Sequence, residues 1–184
     1  MLDAARAGSP DALSELWRRY APGVTAFARS RGAGEPDEVA SDCFLAVFEK
    51  LGRFRGSEPD FRAFLYTVAH RRVVDDHRRR SGGVPVRALI EGDEGPAQPS
   101  AEETVMHRSG TAHAWHLLSL LTPDQRDVVA LRIFGELTLE EVASVLGKGT
   151  GAVKALQRRG LDSLRRMLED GASGAHDEVE GGRR

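Results

Sequence analysis

A single cysteine in 184 residues leaves no possibility of an intramolecular disulfide, and without a CxxC pair there is no thiolate metal cage either. A reducing cytoplasm is the expected setting. Nothing approaches eighteen consecutive apolar residues, and the first residues show no basic segment followed by an apolar one, so neither a membrane span nor a signal peptide is expected. Neither sign of charge dominates: the formal net charge is −2. That balance argues against a uniformly basic nucleic-acid binder, but it hides segregation along the chain. Residues 1–80 carry 14 basic and 12 acidic side chains, 81–108 carry 2 and 5, 109–166 carry 8 and 6, and 167–184 carry 2 and 5. Two slightly basic blocks are thus separated by an acidic stretch and followed by an acidic tail.

What is present is helical punctuation. Ser9-Pro10-Asp11 reads as N-cap, first-turn proline and first-turn acid, opening a long helix with Leu13, Leu16, Trp17, Tyr20, Val24 and Phe27 on one face, after a short lead-in helix around Ala4 to Arg6. Gly32 and Gly34 end it. A second helix starts near Pro36 and buries Val39, Cys43, Phe44, Val47, Phe48 and Leu51, with Ser41, Asp42 and Glu49 on its opposite face. After the loop Gly52 to Pro59, Asp60 is the expected cap of a third helix through Phe61, Phe64, Leu65, Val68, Val73 and Val74. That helix ends in the basic run His77-Arg78-Arg79-Arg80, with Asp75 spaced to pair with Arg71, Arg72, Arg78 and Arg79.

From 82 to 109 prolines and acids replace the apolar periodicity, and no packed core can come from such a composition. A helix resumes near Thr111 with Trp115, Leu117, Leu118 and Leu121 as its buried positions. Thr122-Pro123-Asp124-Gln125 and Thr138-Leu139-Glu140-Glu141 both have the capping-box form, and Gly135 and Gly147 stand where the preceding helices must stop. Between and after them, Val128, Leu131 and Ile133, then Val142, Ala143 and Leu146, then Val153, Leu156, Leu161 and Leu164 fall at helical spacing. This is a helix-turn-helix, and its last helix carries Lys148, Lys154, Arg158, Arg159, Arg165 and Arg166 against Asp162 alone, as a helix in a major groove requires. The expected architecture is all-α: a helical domain over 1–81, a flexible acidic linker over 82–109, a helix-turn-helix domain over 110–168 and a disordered tail over 169–184.

Together these stretches resemble the extracytoplasmic-function (ECF) sigma factors of bacterial RNA polymerase. In the first module the likeness rests on Asp37 to Phe44, Phe61 to Arg71 and Val74 to Arg79. In the second it rests on Leu121 to Arg126, Leu131-Arg132, Glu140 to Ala143, Leu146-Gly147 and Val153-Lys154. The resemblance implies a chain that binds core RNA polymerase and directs promoter recognition, melting and initiation, without being an enzyme and without a cofactor. Ser41, Asp42 and Glu49 become contacts for the polymerase clamp, with Ser41-Asp42 in place of the family's usual Gln-Glu and Phe48 in place of a common Trp.

The loop residues Arg53, Phe54 and Arg55, with Phe61, correspond to the part that captures a flipped base of the minus-10 element. Arg71, Arg72, Arg78 and Arg79 would track its backbone. The alternative for Phe54 and Phe61 is that both are core. In the recognition helix Thr150, Lys154 and Arg158, with Gln157 and Arg159 at the margins, would read the minus-35 element. Here Lys148 replaces a usual apolar residue, and Gly149-Thr150-Gly151-Ala152 makes the entry unusually small and flexible. The acidic linker would thread the polymerase channel, and an anti-sigma factor is the implied partner.

Two other readings compete with this one. A metal phosphohydrolase would use His70, Asp75, Asp76 and His77, but successive helical residues point about 100° apart and cannot converge on one ion. His113 and His116 could share a face, yet no second ligand group accompanies them. A stand-alone helix-turn-helix regulator would have no use for a basic helix joined to an Arg-Phe-Arg loop. Cys43, on the apolar face beside Phe44 and Val47, reads as a buried, inert thiol rather than a redox switch.

Overall fold

The computed structural model describes residues 1–81 and 105–180. Among them are eight helices: α1 (Leu2–Arg6), α2 (Pro10–Ser30), α3 (Pro36–Leu51), α4 (Glu58–Arg80), α5 (Val105–Ser119), α6 (Pro123–Ile133), α7 (Leu139–Leu146) and α8 (Thr150–Glu180), with no strand between them. The expected all-α class is what is found. Most of the expected linker, 82–104, lies outside the described residues, as does 181–184. α5 begins at Val105, earlier than the expected Thr111. α8 runs on to Glu180 through the stretch expected to fray; no proline interrupts it there, although each of its glycines opposes the helix by about 1 kcal/mol.

The helix starts are local chemistry. Ser9 Oγ accepts from the Ala12 amide, and reciprocal capping boxes join Thr122 to Gln125 and Thr138 to Glu141. At α4 the expected cap is displaced: Ser57, not Asp60, is the N-cap. Asp60 sits at the third position and accepts from the Ser57 amide at 2.8 Å, while Pro59 is tolerated in the first turn where no amide is needed. Those hydrogen bonds hold the Asp60 carboxyl below its usual range.

In the first module α2, α3 and α4 enclose Leu16, Val24, Phe27, Val39, Phe44, Val47, Phe61, Leu65 and Val73, all essentially without exposure. Cys43 lies among them with Sγ 3.6 Å from the Leu65 carbonyl oxygen, and burial pushes its thiol up to about 12. The second module packs α6, α7 and α8 around Val128, Leu131, Leu137, Val142 and Val153. α8 approaches α6 at Gly160, where a Cβ would meet Val129 Cγ2 at 3.0 Å.

Gly147 ends α7 as expected, left-handed at φ 62°. Gly135 does not play that part. The left-handed residue after α6 is Glu136, at φ 50°. Gly135 is required for space instead, since a Cβ there would lie 2.6 Å from the Leu131 carbonyl oxygen. Ile133 and Leu161, read from spacing as buried, are 54% and 45% exposed. α4 of the first module lies directly against α7 of the second, so the two modules share one continuous apolar core.

Candidate nucleic-acid interface

The outward face of α8 is set by the turn before it. The Lys148 amide donates to the Ala143 carbonyl at 3.0 Å, closing the end of α7, and Lys148 Nζ reaches Asp124 Oδ2 at 3.2 Å. The lysine that stands in a usually apolar place therefore ties the turn to the start of α6. α8 follows within three residues. Thr150, Lys154 and Arg158, four apart, are all exposed on one face, and Leu161 and Arg165 continue it. Arg159 is exposed too, its Nε donating back to the Ala155 carbonyl at 3.3 Å. Gln157 is only half-exposed, and its Oε1 is buried without a hydrogen-bond partner, so it faces inward rather than toward a groove. A Cβ at Gly149 or Gly151 would meet nothing within 4 Å. These glycines serve no close approach; they leave the helix entry open.

In the first module the loop before α4 is held from beneath. The Arg6 guanidinium, 5.4 Å from the Phe54 ring centroid, donates to the Gly56 carbonyl. Arg55 Nη1 donates to the Gly52 and Phe54 carbonyls at 3.0 Å each, bracing its own loop, whereas Arg53 is exposed. Phe54 is half-buried and stacked on Phe64 with ring centroids 5.5 Å apart. Phe61 is fully buried, 5.7 Å from the Tyr20 ring and 6.1 Å from the Phe54 ring. The expectation that Phe61 stacks on an unpaired base is corrected here: it is core. Arg6, which sequence reading passed over, shows itself only through this long-range contact.

The basic end of α4 presents Arg71, Arg78 and Arg79 outward and Arg72 half-buried. The acid that braces it is not Asp75 but Asp76, 3.0 Å from Arg80 Nε. Arg80 Nη2 also donates to the Gly32 carbonyl at 2.5 Å, fixing the helix end against the turn after α2. His77 is neutral in this setting. Its Nε2–H donates to the Arg31 carbonyl at 2.6 Å and its Nδ1 accepts from Arg80, while burial lowers its pKa below the usual histidine value.

On α3, Ser41, Leu45 and Glu49 share an exposed face at four-residue spacing, with Asp42 half-buried beside them. Ser41 Oγ is turned back to the Asp37 carbonyl at 2.9 Å. Leu45 is 63% exposed in the middle of this polar face. Sequence reading missed it, although an apolar residue alone among polar ones at that period is the signal. His70 and His77 are both engaged by the fold and His113 and His116 are exposed. No group of three His, Cys, Asp or Glu side chains among the described residues is placed to hold a metal ion.

The comparisons agree with this division. The family description "Sigma-70 region 2" matches residues 16–82, and "Sigma-70, region 4" matches residues 117–166. The chain is 35% identical over 172 residues to the ECF RNA polymerase sigma factor SigD of Mycobacterium tuberculosis, covering 88% of this chain and 79% of SigD. It is 31% identical over 177 residues to the ECF RNA polymerase sigma factor BldN of Streptomyces coelicolor, covering 94% of this chain and 66% of BldN. Among solved structures, CnrH in complex with the cytosolic domain of CnrY is similar with a TM-score of 0.65 and 25% identity, over 92% of this chain and 95% of that one.

Proposed function

The chain belongs to the ECF sigma factors of bacterial RNA polymerase, and from that premise we propose how its surfaces divide the work of initiation. The first module, within 1–81, docks on the polymerase clamp through Ser41, Asp42, Leu45 and Glu49. An exposed leucine ringed by short polar side chains is the composition of an interface centre with a polar rim. The same module grips the melted minus-10 element. Arg53 meets phosphate at the loop, Arg55 and Phe54 hold the loop in shape, and Arg71, Arg72, Arg78 and Arg79 follow the backbone.

The second module, within 110–168, lays α8 in the major groove of the minus-35 element. Thr150, Lys154 and Arg158 face the bases, Arg159 meets the flanking phosphate and Gln157 supports the helix from within. The acidic segment between the modules occupies the cationic channel of the polymerase by imitating a nucleic-acid backbone. The phosphoryl-transfer chemistry is the polymerase's own, so this chain acts as a specificity factor in the cytoplasm, where its polymerase is. CnrH is solved with the cytosolic domain of CnrY, and a comparable anti-sigma partner is proposed for this chain.

The observation that carries the reading is the coincidence, in one chain and in family order, of two separate modules that each expose an arginine- and lysine-bearing helical face. Run-off transcription sequencing with holoenzyme reconstituted from core polymerase and this chain tests it. The expected result is initiation at promoters sharing a minus-35 and a minus-10 motif. Tight sequence-specific DNA binding by the isolated chain, with no effect on initiation, would instead establish the stand-alone regulator.

A further inference from the structure

The loop before α4 is spanned by a single residue of α1. The chain turns back sharply between α1 and α2: the Gly8 amide donates to the Ala5 carbonyl and the Ser9 amide to the Ala4 carbonyl, each at 3.0 Å. Gly8 takes the left-handed φ of 84° that a side chain would resist. Ala5, 3% exposed, fixes this short helix in the core. Arg6 is thereby delivered to the loop. A Cβ on Gly52 would come within 3.9 Å of the Arg6 carbonyl oxygen, while the Arg6 guanidinium donates to the Gly56 carbonyl, so one residue spans the loop from its first glycine to its last. Asp3 Oδ1, 2.7 Å from Arg6 Nη1, holds the guanidinium in that direction, and the Arg6 side chain is only 20% exposed. So enclosed a guanidinium serves the loop rather than a phosphate.

What Arg6 grips is what decides the shape of the loop. Gly56 has no room for a side chain: a Cβ there would stand 2.8 Å from Asp60 Cβ and 3.0 Å from Phe54 Cζ. It is packed against both the Phe54 ring and the first turn of α4, and the Arg6 guanidinium stands 5.4 Å from the centroid of the same ring. Just beyond, Tyr20 Oη donates to Glu58 Oε1 at 2.7 Å, and Arg19 lies 3.0 Å from that oxygen. Of the loop's own arginines, Arg55 bonds back to its backbone and Arg53 has no partner among the described residues. A loop already ordered binds an unpaired base more tightly than one that must order around it, because every residue fixed on binding lowers the affinity by its lost entropy.

We propose that Arg6 is a positioning residue for minus-10 recognition. By gripping the Gly56 carbonyl and the Phe54 ring it keeps the loop in the shape that receives the unpaired minus-10 base and leaves Arg53 free for the phosphate. α1 thus takes part in promoter melting without touching the promoter. The role rests on the sigma-factor reading; the brace does not.

Three full-length variants test it. Arg6→Ala removes the grip, Arg6→Lys keeps a cation that can donate to the Gly56 carbonyl, and Gly56→Ala forces the loop out of shape with Arg6 still in place. In the free chain, trypsin cleavage after Arg53 and Arg55, read by mass spectrometry, should be about tenfold faster in Arg6→Ala and Gly56→Ala than in wild type, with helical circular dichroism unchanged. Tenfold is near the lower end of what one hydrogen bond from a charged group contributes. The second arm uses holoenzyme reconstituted with core polymerase, on a promoter found by run-off sequencing with 2-aminopurine placed in its minus-10 element. The rate of brightening, which reports base unstacking, should fall about tenfold in the same two variants, and Arg6→Lys should recover most of it. Competition among singly substituted promoters should show preference lost at one minus-10 position and kept at minus-35.

Cleavage no faster in either variant than in wild type would overturn the brace. Faster cleavage with wild-type brightening and wild-type preference would overturn its part in minus-10 recognition. Preference lost evenly at both elements would assign Arg6 to general stability and overturn the positioning role. Wild-type holoenzyme that neither brightens the probe nor initiates would overturn the sigma-factor reading and the role with it, a failure told apart by the cleavage result, which needs no polymerase.

Discussion

Tyr66 of the first module and Phe134 of the second are joined by a hydrogen bond of 2.5 Å, from a phenol that is 1% exposed to a backbone carbonyl at the corner after α6. Burial, with the Cys43 thiol and Glu136 near it, pushes the Tyr66 hydroxyl far above its ordinary value, so it remains a donor at every working pH. Tyr66→Phe keeps the ring, its edge contact with Phe27 and the packing, and removes only the bond. The expected loss is about 1 kcal/mol of stability, the net worth of one intramolecular hydrogen bond, read as a lower midpoint in urea unfolding followed by circular dichroism. A midpoint equal to wild type would mean that water serves the Phe134 carbonyl equally well.

Leu45→Ala removes an exposed side chain from the face it shares with Ser41 and Glu49. Folding stability should change by less than about 0.5 kcal/mol, as for ordinary surface substitutions. Affinity for core polymerase should fall roughly tenfold, since burying a leucine is worth about 1.5 kcal/mol or more. Fluorescence anisotropy of labelled chain titrated with core enzyme measures this. Unchanged affinity would move the docking face elsewhere.

Lys154→Ala and Arg158→Ala should each cost about 1–3 kcal/mol in binding a promoter fragment as holoenzyme, with relaxed preference at one minus-35 position apiece. Arg78→Ala should weaken binding evenly across sequences, because a phosphate contact carries no sequence information. Competition of reconstituted holoenzyme against a set of singly substituted promoters separates the two behaviours. Loss of preference in Arg78→Ala and none in Lys154→Ala would exchange their assigned roles.

His77 makes stability depend on pH in a known direction. Burial lowers its folded value below 6.5, so the unfolded chain binds the proton more readily. Its contribution is fully present above about pH 6.5 and is lost as the pH falls through the lowered folded value. His77→Gln can still donate to the Arg31 carbonyl but does not titrate. The melting temperature of wild type should therefore drop more steeply than that of the variant below pH 6.5, in paired thermal melts. Parallel curves would show that another group governs the acid limb.

What the sequence made legible was local. Thr122 with Gln125, Thr138 with Glu141 and Gly147 act within one turn of themselves, and their roles are those their spacing implies. Spacing does not decide where a residue's partner is nearby but ambiguous. Ser57 and Asp60 can each cap a helix, and Pro59 between them decided for Ser57. Gly135 sits where a left-handed stop is wanted, but that conformation falls on Glu136, and what Gly135 supplies instead is room beside the Leu131 carbonyl.

Phe61 follows an exposed loop and carries no mark that distinguishes core from base platform. Only the closure of α2 over it shows that it is buried. The contact between the two modules is not legible in the sequence for a simpler reason. Arg31 and Asp127, which pair across it at 2.7 Å, are 96 positions apart, each looks like a solvated charge in its own stretch of chain, and nothing in either neighbourhood names the other.

The depth of that pair separates two responses to ionic strength. Mobile ions enter the solvent around Lys154, Arg158 and the arginines of α4 and screen their hold on phosphate within about 8 Å at 0.15 M. They have little access to Arg31 and Asp127, each nine-tenths enclosed by protein. A rise in salt would thus weaken the proposed hold of these exposed cations on phosphate while leaving the enclosed Arg31–Asp127 pair unscreened.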